Sequence, residues 1–118
     1  MARIRSIHFN ACGSNKLADL SDAAERLWWR MQGHCDDEGR IEDDPRLIRA
    51  AAVPLLDWTT DHVDELLGEM ADVGLIDRYQ ADEHRVIQVR EWTTYQHPQR
   101  PTPSRWPAAP NGTKAHDK

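Results

Sequence analysis

A change of hydrophobic period at Gly74 constrains the fold more than any other feature of this chain. Before this glycine, apolar residues in the segment 63–70 recur at spacings of three and four, which is the pattern of one helix face. After it, the segments 76–81 and 85–90 alternate apolar and polar residues, as half-buried strands do, and they meet at 82–84. Glycine suits the left-handed conformation that ends many helices. The sequence therefore predicts a helix that leads directly into a β-hairpin.

Two further helices are predicted before this one. Ser21 is a suitable N-cap for the first, whose apolar face ends before the acidic run 36–38. The second covers 44–53, with Pro45 at the first helical position, and a short strand-like link, 40–42, separates the two helices. The pattern places the following residues on the buried faces: Leu20, Ala24, Leu27, Trp28, Met31 and Cys35 in the first helix, and Leu47, Ile48 and Ala51 in the second.

The order of these elements predicts an α+β fold, a winged helix-turn-helix with three main helices and a C-terminal β-hairpin as the wing. The helices that begin near Asp44 and Thr60 form the helix-turn-helix. We expect this domain to cover residues 1–96. Five of the seven prolines lie between positions 98 and 110, so residues 97–118 are predicted to form an extended or disordered Pro-rich tail.

Five segments resemble, in the same order, the N-terminal winged-helix domain of bacteriophage replication-initiation (replisome-organiser) proteins. They are residues 2–7, 35–40, 74–79, 92–96 and 100–107. The resemblance spans about residues 2–107 and implies a domain that binds origin DNA in replication initiation or its control. In that family a further C-terminal segment recruits the host helicase machinery. We expect that recruiting part to be absent here or encoded elsewhere.

The arginines are the candidate contacts to DNA, although the formal net charge of −5 argues against a protein that simply coats nucleic acid. A basic arm can enter a minor groove while a wing follows the phosphates. Alternatively, each arginine pairs with a neighbouring acid, and only the arm and tail arginines lack acids nearby in the sequence. The candidates in the arm, second helix, wing and tail are Arg3, Arg5, Arg46, Arg49, Arg78, Arg85, Arg90, Arg100 and Arg105.

The outward face of the third helix is acidic and carries no lysine or arginine, so phosphates would be repelled from it. The DNA contact then uses other parts of the fold, or the face is simply solvated, or the helix binds a basic protein surface. The last alternative describes a protein-interaction module that binds or inhibits a host protein, or a phage replication protein, through this helix and the Pro-rich tail. Candidate residues are Trp29, Asp61, Asp64, Glu65, Glu69, Asp72 and Trp106. Trp29 or the first helix could also pair two copies in a homodimer.

No catalytic motif, cofactor motif or established zinc spacing is present in the sequence. His8 with Cys12 and His34 with Cys35 offer four metal-binding side chains, but neither pair has zinc-motif spacing, and Cys35 is expected in the core. Two cysteines in a chain of 118 residues fit a reducing compartment. Without a signal-peptide pattern or an apolar run of spanning length, we expect a cytoplasmic, non-enzymatic protein that does not contact membranes.

Overall fold

Five α-helices and three strands follow one another in a computed structural model that describes residues 4–7 and 9–109. Two 3-10 turns, Phe9–Gly13 and Gln32–His34, precede the first helix and extend the second. The helices are α1 (Asn15–Ala18), α2 (Asp22–Met31), α3 (Pro45–Ala52), α4 (Thr60–Asp72) and α5 (Trp92–Tyr95), and the strands are β1 (Arg40–Glu42), β2 (Ile76–Ala81) and β3 (His84–Val89).

The predicted helix boundaries are confirmed by their caps. The Ser21 hydroxyl accepts a hydrogen bond from the amide three residues on, at 3.1 Å, and Thr59 does the same for α4 at 3.0 Å. The Asp44 carboxylate accepts from the amide two residues on, with Pro45 at the start of α3. Gly74 follows α4 with φ +86°, the left-handed conformation that lets the chain turn into β2.

The three strands form one antiparallel sheet in the order β1-β3-β2. The link at 40–42 is therefore an edge strand, in which Ile41 pairs with Ile87, and Ile87 also pairs with Arg78 of β2. Because side chains alternate across a strand, the face that carries Ile87 packs on the helices, while Val86 points to the opposite face. We call that opposite side the outer face of the sheet.

Helices α2, α3 and α4 cover the inner face of the sheet and enclose the hydrophobic core. Leu27 and Leu67 are fully buried there, and each buried side chain of this size contributes about 1.5–3 kcal/mol to the free energy of folding. The predicted burial of Trp28 and Cys35 is confirmed, and Trp29 is half-buried at the edge of the core. These positions show that the helical phase of α2 follows from its sequence.

The inward face predicted for α3 is wrong at two positions. Leu47 is 53 % exposed and Ala51 is exposed, whereas Ile48 and Ala52 are buried. Successive helical residues are rotated by 100°, so a buried line through 48 and 52 leaves 47 and 51 on the flank. Eight residues are too few for the apolar pattern alone to fix this phase.

Two smaller differences concern the end of the domain. β3 begins at His84, one residue earlier than predicted, because Asp82 adopts a left-handed φ of +57° and makes the hairpin turn tight. The short helix α5 was not predicted, and it carries Trp92 into the core. Among the described residues, no helix has the length and apolar character needed to cross a membrane.

The contact between Gly39 and Trp92 leads to the first prediction. Gly39 has φ +82°, and a Cβ built on it would lie 2.6 Å from Cγ of the Trp92 ring. Gly39→Ala combines left-handed strain with a clash in the core, so it should lower the free energy of unfolding by about 2–4 kcal/mol. Urea unfolding followed by circular dichroism measures this, and an unchanged midpoint would contradict the close contact.

Gly68 provides the contrasting prediction. It lies inside α4, and a Cβ there would meet nothing within 4 Å. Gly68→Ala should raise the free energy of unfolding by about 0.4–1 kcal/mol, because alanine restricts the unfolded chain and favours helix. The same urea titration tests it. Destabilisation would mean that this face of α4 is not open.

Candidate nucleic-acid interface

Arg78, a predicted DNA contact, forms ion pairs with two carboxylates. Its Nε lies 2.8 Å from Asp43 Oδ2 and its Nη2 lies 2.6 Å from Asp64 Oδ1. The Asp43 side chain is only 1 % exposed, and its hydrogen bonds to Arg78 raise the pKa of the guanidinium above its usual range. Since removing one partner of a buried pair leaves the other charge without compensation, Arg78 serves the fold and is not available to phosphates.

Arg90 and Arg5 are also held by acids. Arg90 makes two hydrogen bonds to the Asp77 carboxylate, at 2.9 and 2.7 Å. Arg5 donates to Asp37 at 3.1 Å and lies over the Trp92 ring at 5.0 Å. Arg5, which has no acid nearby in the sequence, therefore has an acid partner in the fold. Its partner is 32 residues away in the chain, where sequence proximity gives no signal.

The remaining predicted arginines differ in exposure. The Arg46 side chain is 78 % exposed and the Arg85 side chain is 64 % exposed. Arg100 is exposed in the tail, and Arg49 is half-buried in α3. Arg105 is exposed, with its guanidinium 4.5 Å from the ring centre of Trp106. Arg3 lies outside the described residues.

Three of these exposed arginines lie near one end of the sheet, where β1 ends and β3 begins, and we call this end the basic edge: Arg46, Arg85 and Arg105. The residues Asp43 and Asp44 join its first two members, because Arg85 lies 3.8 Å from the Asp43 carboxylate and Arg46 forms an ion pair with Asp44 at 3.0 Å. The hydrogen bond from Arg46 lowers the pKa of Asp44. Exposed ion pairs of this kind contribute little to stability, so phosphates can replace the carboxylates as partners.

The tail brings the third arginine to the same end of the sheet. Trp106 contacts His84 edge to face, with ring centres 5.4 Å apart. His84 precedes Arg85 in β3, and the two side chains point to opposite faces of the sheet. Trp106 is half-buried in this position. Arg105 is thereby placed beside the start of β3. The basic edge thus draws on α3, the hairpin and the tail.

The acidic face of α4 is smaller than the sequence suggested. Asp64 pairs with Arg78, and both oxygens of Glu69 accept hydrogen bonds from Ser21, at 3.0 and 2.9 Å. Three of the five predicted acids are exposed and form no ion pair with an arginine or lysine among the described residues: Asp61, Glu65 and Asp72. They share one stripe of α4 with Gly68, and this stripe is the part that phosphates would avoid.

Two exposed arginines were missed in the sequence. Arg26 and Arg30 lie on the outer side of α2, four residues apart, with no acid partner among the described residues. Their spacing was a usable signal, because residues at i and i+4 share a helix face. They form an exposed basic pair on α2, an element that contributes no residue to the basic edge.

The proline-rich tail contacts the domain. The segment 102–107, called the tail segment from here on, runs across the outer face of the sheet and makes hydrogen bonds to the turn 36–38 and to β1 and β2. Val86 lies on that outer face and is nevertheless fully buried, although it does not belong to the main core cluster. Hydrogen-bonded pairs are Thr102–Asp37, Ser104–Asp36, Ser104–Glu38, Trp106–Arg40 and Pro107–Tyr79.

Two concave regions lie near α5. A cavity of about 90 Å³ is lined by aromatic side chains that include Trp28, Trp29 and Tyr95. A larger groove of about 970 Å³ lies between the tail and the sheet, and its charged groups pair with one another, as in Glu38 with Arg40 and Asp77 with Arg90. Neither region shows a nucleophile beside a base.

The metal-ligand candidates do not assemble in the part of the chain that the structure describes. There, no group of three His, Cys, Asp or Glu side chains is placed to hold a metal ion. Burial raises the pKa of the Cys35 thiol to about 12, so it stays protonated at neutral pH. Cys12 is exposed, and His8 lies outside the described residues.

Comparison with known proteins identifies no relative: no family model, no curated protein and no solved structure matches this chain. Three features of the described residues bear on function: the basic edge, the acidic stripe of α4 and the position of the tail segment.

The ion pair between Arg78 and Asp43 leads to a third prediction. Arg78→Ala leaves a buried carboxylate without its main partner, so it should lower the free energy of unfolding by about 2–4 kcal/mol. Arg46→Ala, which removes an equally charged but exposed side chain, should leave unfolding nearly unchanged. Urea titrations of the two variants make the comparison. Equal effects would show that Arg78 is not a structural residue.

Proposed function

We propose that this protein binds DNA through a winged-helix domain of the phage replication-initiation type, and that it acts in replication initiation or its control. The order of helices, hairpin and strands is compatible with a winged helix, with α3 and α4 as the helix-turn-helix and β2–β3 as the wing. The observation that carries the proposal is the basic edge, where three exposed arginines from separate elements lie near the same end of the sheet.

The charge distribution favours an unusual contact geometry for such a domain. The exposed stripe of α4 carries Asp61, Glu65 and Asp72, so this helix does not present that face to a DNA groove. Arg85 and Arg46 instead contact the phosphates from the hairpin and from the start of α3, and Arg105 adds a contact from the tail. Such contacts position a protein on the duplex and make its affinity depend on salt.

The fourth prediction tests the basic edge. Arg85→Ala combined with Arg105→Ala should weaken DNA binding and reduce the slope of log affinity against log salt by about 2, because each phosphate contact contributes about 0.9. The charge-matched control combines Arg26→Ala with Arg30→Ala and should keep most of the slope. Fluorescence anisotropy with duplex fragments of the source genome, across a salt series, measures both.

Two results would contradict this proposal. One is that the unaltered protein binds none of the fragments even at low salt. The other is that the control variant loses as much slope as the basic-edge variant, which would mean that any arginine contributes equally and that the basic edge has no special role. Urea titration of each variant excludes loss of fold as the cause.

A second function is supported by a different surface. Leu55, in the connection between α3 and α4, is 94 % exposed, and Leu47 is exposed on α3. Together with the acidic stripe of α4, these side chains suit a protein partner with a basic and partly apolar surface. In this second proposal the chain engages a host or phage replication protein. Leu55→Asp would then abolish capture of a purified replication protein and leave DNA binding intact.

A further inference from the structure

The turn 36–38 carries three consecutive acids, and each of them accepts a hydrogen bond from the tail segment. We propose that this acidic turn is the seat that fixes the tail segment, so that Arg105 and Trp106 are held in place at the basic edge. The inference rests on the proposed function. Its unusual consequence is that carboxylates, which repel phosphates, strengthen the binding of DNA by this protein.

The turn has hydrogen bonds of its own that do not involve the tail. One oxygen of Asp36, Oδ1, accepts from the amides of Glu38 and Arg40 at 2.9 and 3.0 Å, which closes the turn. The other oxygen, Oδ2, is thereby directed outward and accepts the hydrogen bond of the Ser104 hydroxyl. The same aspartate shapes the turn with one oxygen and receives the tail with the other.

The other two acids bind the backbone of the tail segment. Glu38 Oε2 accepts from the amide of Ser104 at 2.7 Å, and Asp37 Oδ2 accepts from the amide of Thr102 at 2.9 Å. Hydrogen bonds from amides to carboxylates are stronger than those between neutral groups. The negative charge of the turn is partly compensated by Arg5 on Asp37, at 3.1 Å, and by Arg40 on Glu38, at 3.5 Å.

The sheet holds the end of the same segment. Arg40 Nη1 donates to the carbonyl of Trp106 at 3.0 Å, and the Tyr79 hydroxyl donates to the carbonyl of Pro107 at 2.6 Å. Arg105 therefore lies between two groups of anchors, the acidic turn on one side and the sheet on the other. A side chain in this position is restricted before DNA binds.

Restriction matters because a mobile arginine loses conformational freedom when it binds a phosphate, and that loss weakens binding. A seated arginine has already lost part of it during folding. Against this gain stands the repulsion between the acidic turn and the phosphates, which salt screens over about 8 Å at physiological ionic strength. Restriction of Arg105 strengthens DNA binding and repulsion by the acids weakens it. The change in DNA affinity when the acids are neutralised therefore shows which effect is larger.

The experiment compares two variants with the same change of charge. Asp36→Asn with Glu38→Gln weakens the seat, and asparagine retains the Oδ1 acceptor that closes the turn. Asp61→Asn with Glu65→Gln removes two acids from the exposed stripe of α4, away from the tail. Both variants raise the net charge by two, and repulsion alone predicts tighter DNA binding for both. We expect the seat variant to bind about tenfold more weakly than the unaltered protein, since two side chains become mobile, and the α4 variant to bind as tightly or more tightly.

Amide hydrogen exchange in the full chain provides a measurement that does not depend on DNA. The amides of Thr102, Ser104 and Trp106 donate hydrogen bonds in the seated segment, so NMR should find their exchange slowed in the unaltered protein. The seat variant should lose this protection, and the α4 variant should keep it. Tyr79→Phe removes one hydrogen bond to the tail without a change of charge. Like the seat variant, it should weaken DNA binding and speed the amide exchange of the tail segment, but by less.

Two outcomes would overturn the inference: fast exchange of these amides in the unaltered protein, or a seat variant that loses protection yet binds DNA as tightly as before. A complete absence of DNA binding by the unaltered protein would overturn the proposed function and the role of the turn in it. In that case slow exchange would still establish the seat itself, so the two failures are distinguishable.

Discussion

The buried carboxylate of Asp43 is the constraint around which the rest of the structure is arranged. It lies where β1 ends and α3 begins, and it is compensated by Arg78 from β2, which also reaches Asp64 of α4. One guanidinium thus connects the sheet to α4 and to the start of α3. Because a buried carboxylate without a partner is costly, these elements must keep their relative positions. Arg85 approaches the same carboxylate from the hairpin, so the basic edge is built on this pair as well.

Much of the fold depends on local sequence signals, and the elements that these signals define were predicted correctly. The N-cap Ser21, Pro45 at the first position of α3, the glycine at 74 and the alternation of β3 each depend on a few neighbouring residues. The phase of α3 was missed because a short helix carries a short pattern, and its exposed Leu47 is apolar. Local chemistry gives the elements and their ends, but the depth of each side chain depends on what packs against it.

The candidate site was harder to predict because its parts are distant in the chain. Arg5 finds its acid 32 positions later, and Thr102 finds the same aspartate 65 positions earlier. No spacing rule connects such residues. Exposed and paired arginines look alike in a sequence, so only the three-dimensional arrangement separates Arg85 from Arg90. Conversely, Arg26 and Arg30 could have been found, since helical spacing is visible in the sequence.

The prolines in and directly before the tail segment restrict how this segment aligns on the acidic turn. Proline has no amide hydrogen, and Pro101 and Pro103 alternate with Thr102 and Ser104, the two residues whose amides meet the acidic turn. In an extended chain, residues two apart point the same way, so both donors face the carboxylates together. A one-residue shift that brought Pro101 and Pro103 opposite the acids would leave both carboxylates without amide donors. The alternation therefore excludes that slip and favours the register in which the amides of Thr102 and Ser104 meet the turn.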